Sequence, residues 1–409
     1  MYYESELIDD DEVNYDLIII GAGAAGLSLL IALDEVNYCG TVLILETNGA
    51  FKNDRVWSFW QTSDVPTSIN KIIEWRWNSW SLSHQNETVV LSDKNIPYCC
   101  LPATKLHQLA GDVIQKRQNV TIAFGHPVDK LSTSSYQNFV QCKEKTYSSN
   151  YVVDTRPPSF INNTPISGEL SRSHLNIPKY GLLQCFFGLE IETTNGVFGH
   201  LQQDVKLMHD LTGTQDGLEF VYILPFSATH ALIEFTGFYS ELPDNAYLSS
   251  RANEYVIKTI ADTPYKKLRE EKACLPMYNI SQTNTSTGII NGGIAGGTMR
   301  ASTGYSFLSI QRWARKTARL LHNEKRLVWI DSIPMIYRWM DRVFLRVLID
   351  NKKRNPQIFM RFAKSVSAAT FARFMSEKAT CKDLCKVILA MPKWPFIKAA
   401  IQTIAENER

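Results

Sequence analysis

The fold is decided by residues 16–26, DLIIIGAGAAG, where a short apolar run meets a glycine-rich turn. The run is typical of a buried parallel strand, the Leu-rich segment 27–33 is typical of a helix, and a second apolar run, 41–45, ends at Glu46. This order is a dinucleotide-binding pattern, in which a strand is followed by a GxGxxG turn, a helix, a second strand and an acidic residue. It predicts a Rossmann-like α/β domain that binds an ADP-containing cofactor. The alternative is a glycine-rich turn in another kind of α/β domain.

The predicted cofactor contacts come from two glycine-rich loops. In the first loop, the glycines allow a tight turn and a close approach to a pyrophosphate, the helix N-terminus attracts phosphate, and Glu46 accepts hydrogen bonds from ribose hydroxyls. In the second loop, residues 289–304, another apolar run meets glycines before a helix at 305–322, so we expect backbone N–H groups near the ring end of the cofactor. The residues assigned to the cofactor from these loops are Gly21, Gly23, Ala24, Ala25, Gly26, Glu46, Gly293, Gly296, Gly297 and Gly304.

Length and composition restrict the class of protein. The 409 residues correspond to one large domain or to two or three domains of ordinary size, and no apolar run reaches the ~18–20 residues of a membrane-spanning helix. The acidic residues 1–13 are expected to form a disordered tail and not a signal peptide. The eight cysteines contain no CxxC pair and the histidines lack metal-ligand spacing, so we expect reduced thiols and no metal site.

The net charge of +2 conceals two regions of opposite sign. Residues 311–409 hold 21 Lys and Arg against 8 Asp and Glu, which gives +13, and the remaining residues hold 22 against 33, which gives −11. Two basic segments with apolar residues at helical spacing, 336–348 and 358–375, lie in the positive region. An anionic membrane or a nucleic acid would attract this region. Because no nucleic-acid-binding motif accompanies it, we expect residues 331–409 to dock on a membrane, with no nucleic-acid partner.

An aromatic cluster follows the first glycine-rich unit, in residues 51–60, FKNDRVWSFW. Trp57, Phe59 and Trp60 in this cluster form either an aromatic layer at the edge of the core or the wall of an apolar pocket. In the second interpretation, Arg55 reaches the cofactor. Composition alone is equally consistent with both interpretations.

Residues 161–285 are expected to form a second, antiparallel domain, because strict alternation replaces helical spacing there. In the strand 231–238, ALIEFTGF, Glu234 lies on the same face as apolar neighbours. A buried carboxyl group without a cation has a raised pKa and stays partly protonated, which suits a general acid. The alternative is an edge-strand glutamate that faces water. Asp210 is a weaker second candidate for the acid.

Several ordered stretches together resemble the flavin-dependent lycopene cyclases of carotenoid biosynthesis, of the bacterial β-cyclase type. The similarity extends from residue 15 to about residue 400. One departure is Pro157 in the segment VDTRP, where the Asp-x-Arg-Gly motif of the family has glycine although Asp154 is kept. The stretches that carry the resemblance are residues 16–46, 53–60, 222–227 with 231–236, 296–307, and 341–344 with 390–392.

The resemblance implies a Rossmann-like FAD-binding domain similar to that of flavoprotein hydroxylases, an antiparallel β substrate domain and a C-terminal helical region. The FAD-binding domain would comprise residues 14–160 and a return segment at 286–330, on either side of the substrate domain. The resemblance adds Arg55 and Asp154 to the residues that contact FAD. It implies that Trp57, Phe59, Trp60, Tyr222 and Phe226 line the substrate pocket.

The resemblance also implies an activity, which is acid-catalysed closure of the ends of lycopene or a related linear carotene into β rings without net redox change. FAD would act in its reduced form, and NADPH or NADH would only reduce it. The enzyme would be a peripheral protein on the cytoplasmic face of the inner membrane. Three points stay open: which of Glu234 and the reduced flavin gives the first proton, which ring isomer forms, and whether one or both ends close.

Two other functions compete with this one. One is an FAD-dependent monooxygenase or reductase that acts on an isoprenoid lipid and would have the same fold. Hydroxylases of that type usually carry Gly-Asp in the late flavin motif. No Asp follows the glycine pairs at 292–293 or 296–297, which argues against this function. A flavin-containing carotenoid carrier would need no acid, so its function would not depend on Glu234.

Overall fold

In the part of the chain that the structure describes, the residues form three β-sheets and a group of C-terminal helices. The computed structural model describes residues 13–134, 137–158, 177–261, 263–280 and 288–407, and the predicted tail, apart from Val13, lies outside them. The strands are β1 (Val13–Ile20), β2 (Val42–Glu46), β3 (Val56–Trp60), β4 (Trp75–Trp77), β5 (Ser79–His84), β6 (Glu87–Ser92), β7 (Tyr98–Pro102), β8 (Val120–Phe124), β9 (Lys130–Thr133), β10 (Asn138–Cys142), β11 (Lys145–Asp154), β12 (Leu182–Thr193), β13 (Asp204–Gly213), β14 (Gly217–Pro225), β15 (His230–Tyr239), β16 (Tyr265–Met277) and β17 (Ile289–Asn291). The α-helices are α1 (Ala24–Glu35), α2 (Thr67–Lys71), α3 (Ala103–Lys116), α4 (Asn245–Ile260), α5 (Phe307–Glu324), α6 (Met335–Asp350), α7 (Asn355–Ser365), α8 (Ala368–Met375), α9 (Cys381–Ala390) and α10 (Lys393–Asn407).

The first sheet contains the predicted Rossmann-like unit. Its order is β8-β2-β1-β11-β10-β9, with β17 also paired to β11, and β8, β2, β1, β11 and β17 are parallel. The run 17–20 is apolar throughout because both of its faces are buried, one of them under α1 and α5. Ile20 is paired in register with Asp154, and Asp154 with Asn291, so the carboxyl ends of β1, β11 and β17 lie side by side. The predicted α/β class is thus confirmed.

The second sheet has the order β16-β12-β15-β14-β13-β5-β6 and is antiparallel except for the β13–β5 pair. Side chains alternate across it, so Ile233 and Phe235 pack under α4 whereas Leu232 and Phe238 face the C-terminal helices. Strands β5 and β6 come from the segment 14–160, so that segment contributes to the second sheet as well as to the first. The third sheet, β3-β7-β4, lies between the two.

The C-terminal helices pack on the second sheet and on one another. The segment 358–375, predicted as one helix, forms two, because Val366 is extended and the side chain of Ser367 accepts a hydrogen bond from the backbone N–H of Thr370 to begin α8. None of the helices in the described residues combines the length and apolar character that spanning a bilayer requires.

Three arginines of α6 and α8, in the region predicted to dock on a membrane, form ion pairs within the chain. Arg346 is only 2% exposed and forms an ion pair with Glu406. Arg338 pairs with Asp331, and Arg373 pairs with Asp383 on α9. Most apolar side chains of these helices belong to the core, whereas Met335 and Ile336 at the start of α6 are exposed. Docking by α6, α7 and α8 therefore stays a prediction, with these three arginines already paired inside the chain.

Candidate active site

The glycine-rich turn after β1 has the space that a diphosphate needs. Gly21 has a φ of +96°, and a Cβ at Gly26 would lie 2.0 Å from the carbonyl oxygen of Gly21, so neither position accepts a side chain. A Cβ at Gly23 would meet nothing within 4 Å. Gly23 is also the N-cap of α1, and no side chain caps this helix end. The backbone N–H groups at Ala24 and Ala25 thus lie in the first turn of a helix that is open to an anion.

Glu46 is fixed at the end of β2. Its Oε2 accepts a hydrogen bond from the backbone N–H of Ala22 at 2.8 Å, and its Oε1 accepts one from the N–H of Asn48 at 2.8 Å. Oε1 also accepts a hydrogen bond from Nδ2 of Asn48 at 2.7 Å, so the remaining free acceptor site is on Oε2. Glu46 could therefore also accept a ribose hydroxyl beside the glycine-rich turn.

The chain passes beneath this turn at the position where Pro157 departs from the family motif. Thr155 donates its backbone N–H to the carbonyl of Ile20 at 2.9 Å and its hydroxyl to the same oxygen at 2.7 Å. Asp154 is bound by Arg156 through Nε and Nη2, at 3.0 and 2.7 Å. The carboxylate of Asp154 is therefore part of an internal ion pair under the predicted cofactor site.

The late glycine-rich loop meets the first one. Gly293 has a φ of +63°, and a Cβ there would lie 2.8 Å from Cβ of Ala25. The carbonyls of Gly296 and Gly297 accept hydrogen bonds from Trp329 and Arg338, which fix the loop. Gly304 has a φ of +72° and lies on the wall of the cavity described next. The predicted cofactor residues of both loops thus form one continuous region.

A cavity of about 660 Å³ lies beside this region, between the second sheet, β3, the residues 302–307 and the C-terminal helices. Its wall is largely aromatic and aliphatic, with few polar groups, which is typical of a site for an apolar ligand. Arg55 lies on its wall and pairs with Asp54 through Nη2 at 2.7 Å. Side chains that line it include Trp57, Tyr98, Phe186, Met208, Phe220, Tyr222, Phe238, Tyr305, Trp339, Phe344, Phe359 and Phe371.

Glu234 lies on the wall of this cavity, on the face that the alternation of β15 predicts. It is 8% exposed, and its Oε1 accepts a hydrogen bond from the hydroxyl of Thr236 at 2.6 Å. Burial raises the pKa of Glu234 well above its ordinary value, and the nearby carboxyl group of Glu271 raises it further. The surroundings of Glu234 therefore favour its neutral form, on the wall of a largely apolar cavity.

Three tyrosines line the cavity beside Glu234, of which Tyr98 is fully buried and the other two are partly buried. The hydroxyl of Tyr98 lies 2.9 Å from that of Tyr222 and 2.9 Å from that of Tyr305, and Tyr222 is paired in register with Glu234. Burial raises the pKa of all three phenols well above the ordinary value, so they stay neutral. They present π faces without adding charge.

The comparison with known families identifies the architecture around this cavity. A family model described as lycopene cyclase protein matches residues 16–401. The chain belongs to the lycopene cyclase family. It is 23% identical over 417 residues to a lycopene beta-cyclase from Pantoea ananas, in an alignment that covers 97% of this chain and 99% of that one.

Three solved structures are similar in fold to this lycopene cyclase family member. A flavoprotein/dehydrogenase from Cytophaga hutchinsonii has a TM-score of 0.59 at 12% identity, covering 92% of this chain and 98% of that one. A geranylgeranyl bacteriochlorophyll reductase-like protein from Thermoplasma acidophilum has a TM-score of 0.57 at 10% identity, with coverages of 95% and 99%. A p-nitrophenol 4-monooxygenase from Pseudomonas putida has a TM-score of 0.55 at 14% identity, with coverages of 97% and 98%. At these identities the similarity shows the fold, which is of the flavoprotein hydroxylase type.

Not every residue assigned to the substrate pocket lines the cavity of this lycopene cyclase family member. Trp57 and Tyr222 do. Phe59 is buried behind the wall, where its ring stacks on Phe307 with centroids 5.1 Å apart, and Trp60 packs in the core against Tyr98. Phe226 lies at the end of β14 and stacks on Trp75 at 4.0 Å. Phe59, Trp60 and Phe226 thus support the wall or lie outside it.

Asp210, the second candidate acid, lies away from the cavity. Its φ of +54° marks an irregularity in β13, and its carboxylate accepts hydrogen bonds from the hydroxyl of Tyr255 at 2.7 Å and from Lys258 at 3.3 Å, both on α4. The hydrogen bond from Tyr255 is the main cause of a pKa below the ordinary range. A carboxyl group that is more acidic than usual does not suit a general acid, so the structure does not support this assignment.

Sequence reasoning missed Glu271 on β16, which also lines the cavity. Burial raises its pKa less far than that of Glu234, because its partner Arg269 opposes the rise. Glu271 lies 37 positions after Glu234, and no motif joins them. The available signal was a run of charged residues, KKLREEK at 266–272, which does not say which strand β16 adjoins.

Proposed function

We propose that this family member is a lycopene β-cyclase, which closes the ψ ends of lycopene or a related linear carotene into β rings without net redox change. The single observation that carries this proposal is Glu234, a carboxyl group with a raised pKa on the wall of a large aromatic cavity. An acid that is neutral at working pH can protonate an alkene in a site without water. The family membership and the Pantoea ananas relative support the same activity.

The residues fit FAD as the cofactor. The open space at Gly23, the uncapped N-terminus of α1 and the carboxylate of Glu46 would hold the ADP part. The contact of Gly293 with Ala25 would continue the site towards the cavity, where Arg55 and Gly304 lie. Reduced FAD would supply an electron-rich ring that stabilises positive charge in the substrate, and NADPH or NADH would serve only to reduce it.

The residues of this chain supply the proton and the apolar surroundings. Glu234 gives its proton to the terminal double bond, whose electron pair forms the new C–H bond and leaves a carbocation. The neighbouring double bond attacks that cation and closes the ring, and a proton then leaves a ring carbon. Aromatic faces such as those of Trp57 and Tyr222 stabilise the cation by roughly 0.5–2 kcal/mol each. Atoms and electrons balance, so the reaction is an isomerisation.

The competing function is an FAD-dependent monooxygenase or reductase, which the similar solved structures would also suit. A monooxygenase consumes oxygen, whereas the cyclisation does not. Incubation of the protein with lycopene, FAD and NADPH without oxygen, followed by pigment analysis, separates the two. We expect cyclic carotenes under these conditions. Activity that appears only with oxygen would contradict the proposal.

The proposal includes docking on the cytoplasmic face of the inner membrane, through an apolar surface next to the cavity. We call it the α9–α10 surface. Leu389 and Ile397 are exposed and also line the cavity, so the surface continues into it. Trp394 is 77% exposed. The other exposed apolar residues of this surface are Ile388, Ile401 and Ile404, and the lysines around it are Lys382, Lys386, Lys393 and Lys398.

This arrangement suits an anionic bilayer. Tryptophan and isoleucine on one side of a helix and lysine at its edges are typical of helices that lie in a membrane interface. A carotene dissolved in the bilayer would then reach the cavity without crossing water. The lysines would attract acidic lipids, and this attraction weakens with salt.

The docking is tested by sedimentation with vesicles that contain phosphatidylglycerol. Ile401→Glu should reduce vesicle binding at least about tenfold, since a charge replaces an inserted apolar side chain. Ile257→Glu is the matched control, because Ile257 is 59% exposed on α4 and Ile401 is 63% exposed on α10. Equal binding of the two variants would contradict docking. Docking would also be contradicted if light scattering showed a dimer that Ile401→Glu dissociates and Ile257→Glu does not. The α9–α10 surface would then contact a second copy of the chain.

A further inference from the structure

The side chains of Glu234 and Glu271 meet above a glycine. Gly188 on β12 is paired in register with Glu234 on one side and with Glu271 on the other. A Cβ at Gly188 would lie 3.1 Å from Cγ of Glu271 and 3.4 Å from Cγ of Glu234. The missing side chain at position 188 therefore leaves the space in which two buried carboxyl groups come together.

Arg269 distinguishes the two carboxyl groups. It lies on the same face of β16 as Glu271 and donates Nη1 to Oε2 of Glu271 at 2.5 Å and Nε to Oε2 of Glu190 at 2.5 Å. The other oxygen of Glu190 lies 2.8 Å from Nε2 of His230. Arg269 is thus held between two carboxylates, with its side chain 9% exposed. A guanidinium bound to one of two adjacent carboxyl groups favours the ionised form of that one, so the proton remains on the other.

We propose that Glu271 is a positioning residue that shares one proton with Glu234 across Gly188. Arg269 keeps Glu271 ionised, so the shared proton stays on Glu234. The proposal rests on the proposed cyclase function. When Glu234 gives its proton to the substrate, two adjacent carboxylates remain. Their repulsion favours recapture of the proton that leaves the ring, so the pair returns to its starting state without a net change in protons.

Other charged or titratable groups face the pair and remain in place in the variants described next. Tyr222 adjoins Glu234 on β14, and Tyr305 approaches it from the loop before α5. Arg55 lies close enough to Glu271 and Arg269 for their charges to affect its pKa. Lys272 also lies on the cavity wall. Because none of these groups is altered, a shift in the pH profile reports on the pair itself.

The test is the pH profile of kcat/KM for Glu271→Gln. Loss of the like charge lowers the pKa of Glu234, and activity needs Glu234 protonated, so the alkaline limb should move to lower pH by about 1–2 units while activity recovers at acid pH. Glu219→Gln is the matched control. Glu219 is as buried as Glu271 and lies in the same sheet, where it accepts hydrogen bonds from Tyr239 and Tyr247. Its profile should match that of the unmodified protein.

Glu271→Asp supplies a second variant that keeps the negative charge, and it should retain most of the alkaline limb. A uniform loss of activity in Glu271→Gln at every pH, with the limb unmoved, would show a merely structural role and overturn the proposal. Infrared spectroscopy of the protein without substrate gives an independent readout. The band of the protonated Glu234 carboxyl group is identified as the one that Glu234→Gln removes. This band should shift in Glu271→Gln, and an unchanged band overturns the pairing. If the unmodified protein closes no ring, the cyclase function fails, and the infrared result still decides the pairing.

Discussion

Glu234 and Asp210 are two carboxyl groups of the same sheet, on β15 and β13, and their surroundings shift their pKa in opposite directions. Burial and Glu271 raise the pKa of Glu234, whereas the hydroxyl of Tyr255 is the main cause that lowers the pKa of Asp210. Glu234 lies on the cavity wall, and Asp210 is bound to α4. The difference shows that residue type and strand position are not enough to identify an acid. What decides is whether the groups around a carboxyl stabilise its neutral or its charged form.

The strongest test of this comparison is Glu234→Gln. Glutamine keeps the size of the side chain and removes the proton, so we expect turnover to fall by about 10²–10⁴-fold, the usual contribution of a general acid. FAD should remain bound, because the glycine-rich loops that would hold it are unaltered. Pigment analysis measures the turnover, and flavin absorbance of the purified variant measures the cofactor. Turnover of Glu234→Gln close to that of the unmodified protein would favour a carotenoid carrier.

A smaller effect is expected from Gly188→Ala. The added Cβ would lie 3.1 Å from Cγ of Glu271, so the side chain of Glu271 must shift by a few tenths of an ångström relative to Glu234. We expect about a tenfold loss of kcat with the acid itself still present. Gly111→Ala is the matched control, since a Cβ at Gly111 in α3 meets nothing within 4 Å and alanine favours helix by roughly 0.5–1 kcal/mol. Steady-state kinetics measures the loss of activity in each variant, and a thermal melt shows whether a loss of stability accompanies it. Equal activity of both variants would show that the pair tolerates a side chain at position 188.

The sequence was sufficient to predict one half of this site but not the other. The period-2 pattern of residues 231–238 predicted the cavity face of Glu234, because alternation is a local property of a strand. The partner of Glu234 depends on strand order, since β12 lies between β15 and β16 and brings Glu271 next to it from a distant part of the chain. No local pattern contains that information.

The same limit explains the other differences between prediction and structure. The GxGxxG turn was predictable because its function depends on backbone geometry within ten residues. Phe226 was assigned to the pocket on its aromatic character, yet the end of β14 places it against Trp75. The basic segment 336–348 was predicted to dock on a membrane, yet its Arg346 pairs with Glu406 sixty residues later. Apolar and basic spacing predicts that a helix has two faces, and only packing decides which face meets solvent.

The smallest effect is expected from Asp210→Asn, which tests the other carboxyl group of the comparison. Asparagine adopts the positive φ of this position readily, so the change removes charge with little strain. Cyclisation should stay within about twofold of the unmodified protein, because Asp210 contributes no proton to the reaction. The pKa of Asp210 is lowered in the folded state. It therefore stabilises the fold above its unfolded pKa of about 3.9, and this contribution is lost as the pH falls through the lower folded value.

Urea unfolding at several pH values measures that contribution. Because the carboxylate of Asp210 is about a third exposed, the free energies of unfolding of the unmodified protein and of Asp210→Asn should differ by less than about 1 kcal/mol near pH 7. This difference should vanish as the pH falls below the folded pKa of Asp210. Glu234→Gln should behave in the opposite sense. A carboxyl group whose folded pKa is raised costs stability once the pH exceeds its unfolded pKa, so removing it should stabilise the protein at neutral pH. If both variants changed stability with the same sign at pH 7, the distinction between the two surroundings would be wrong.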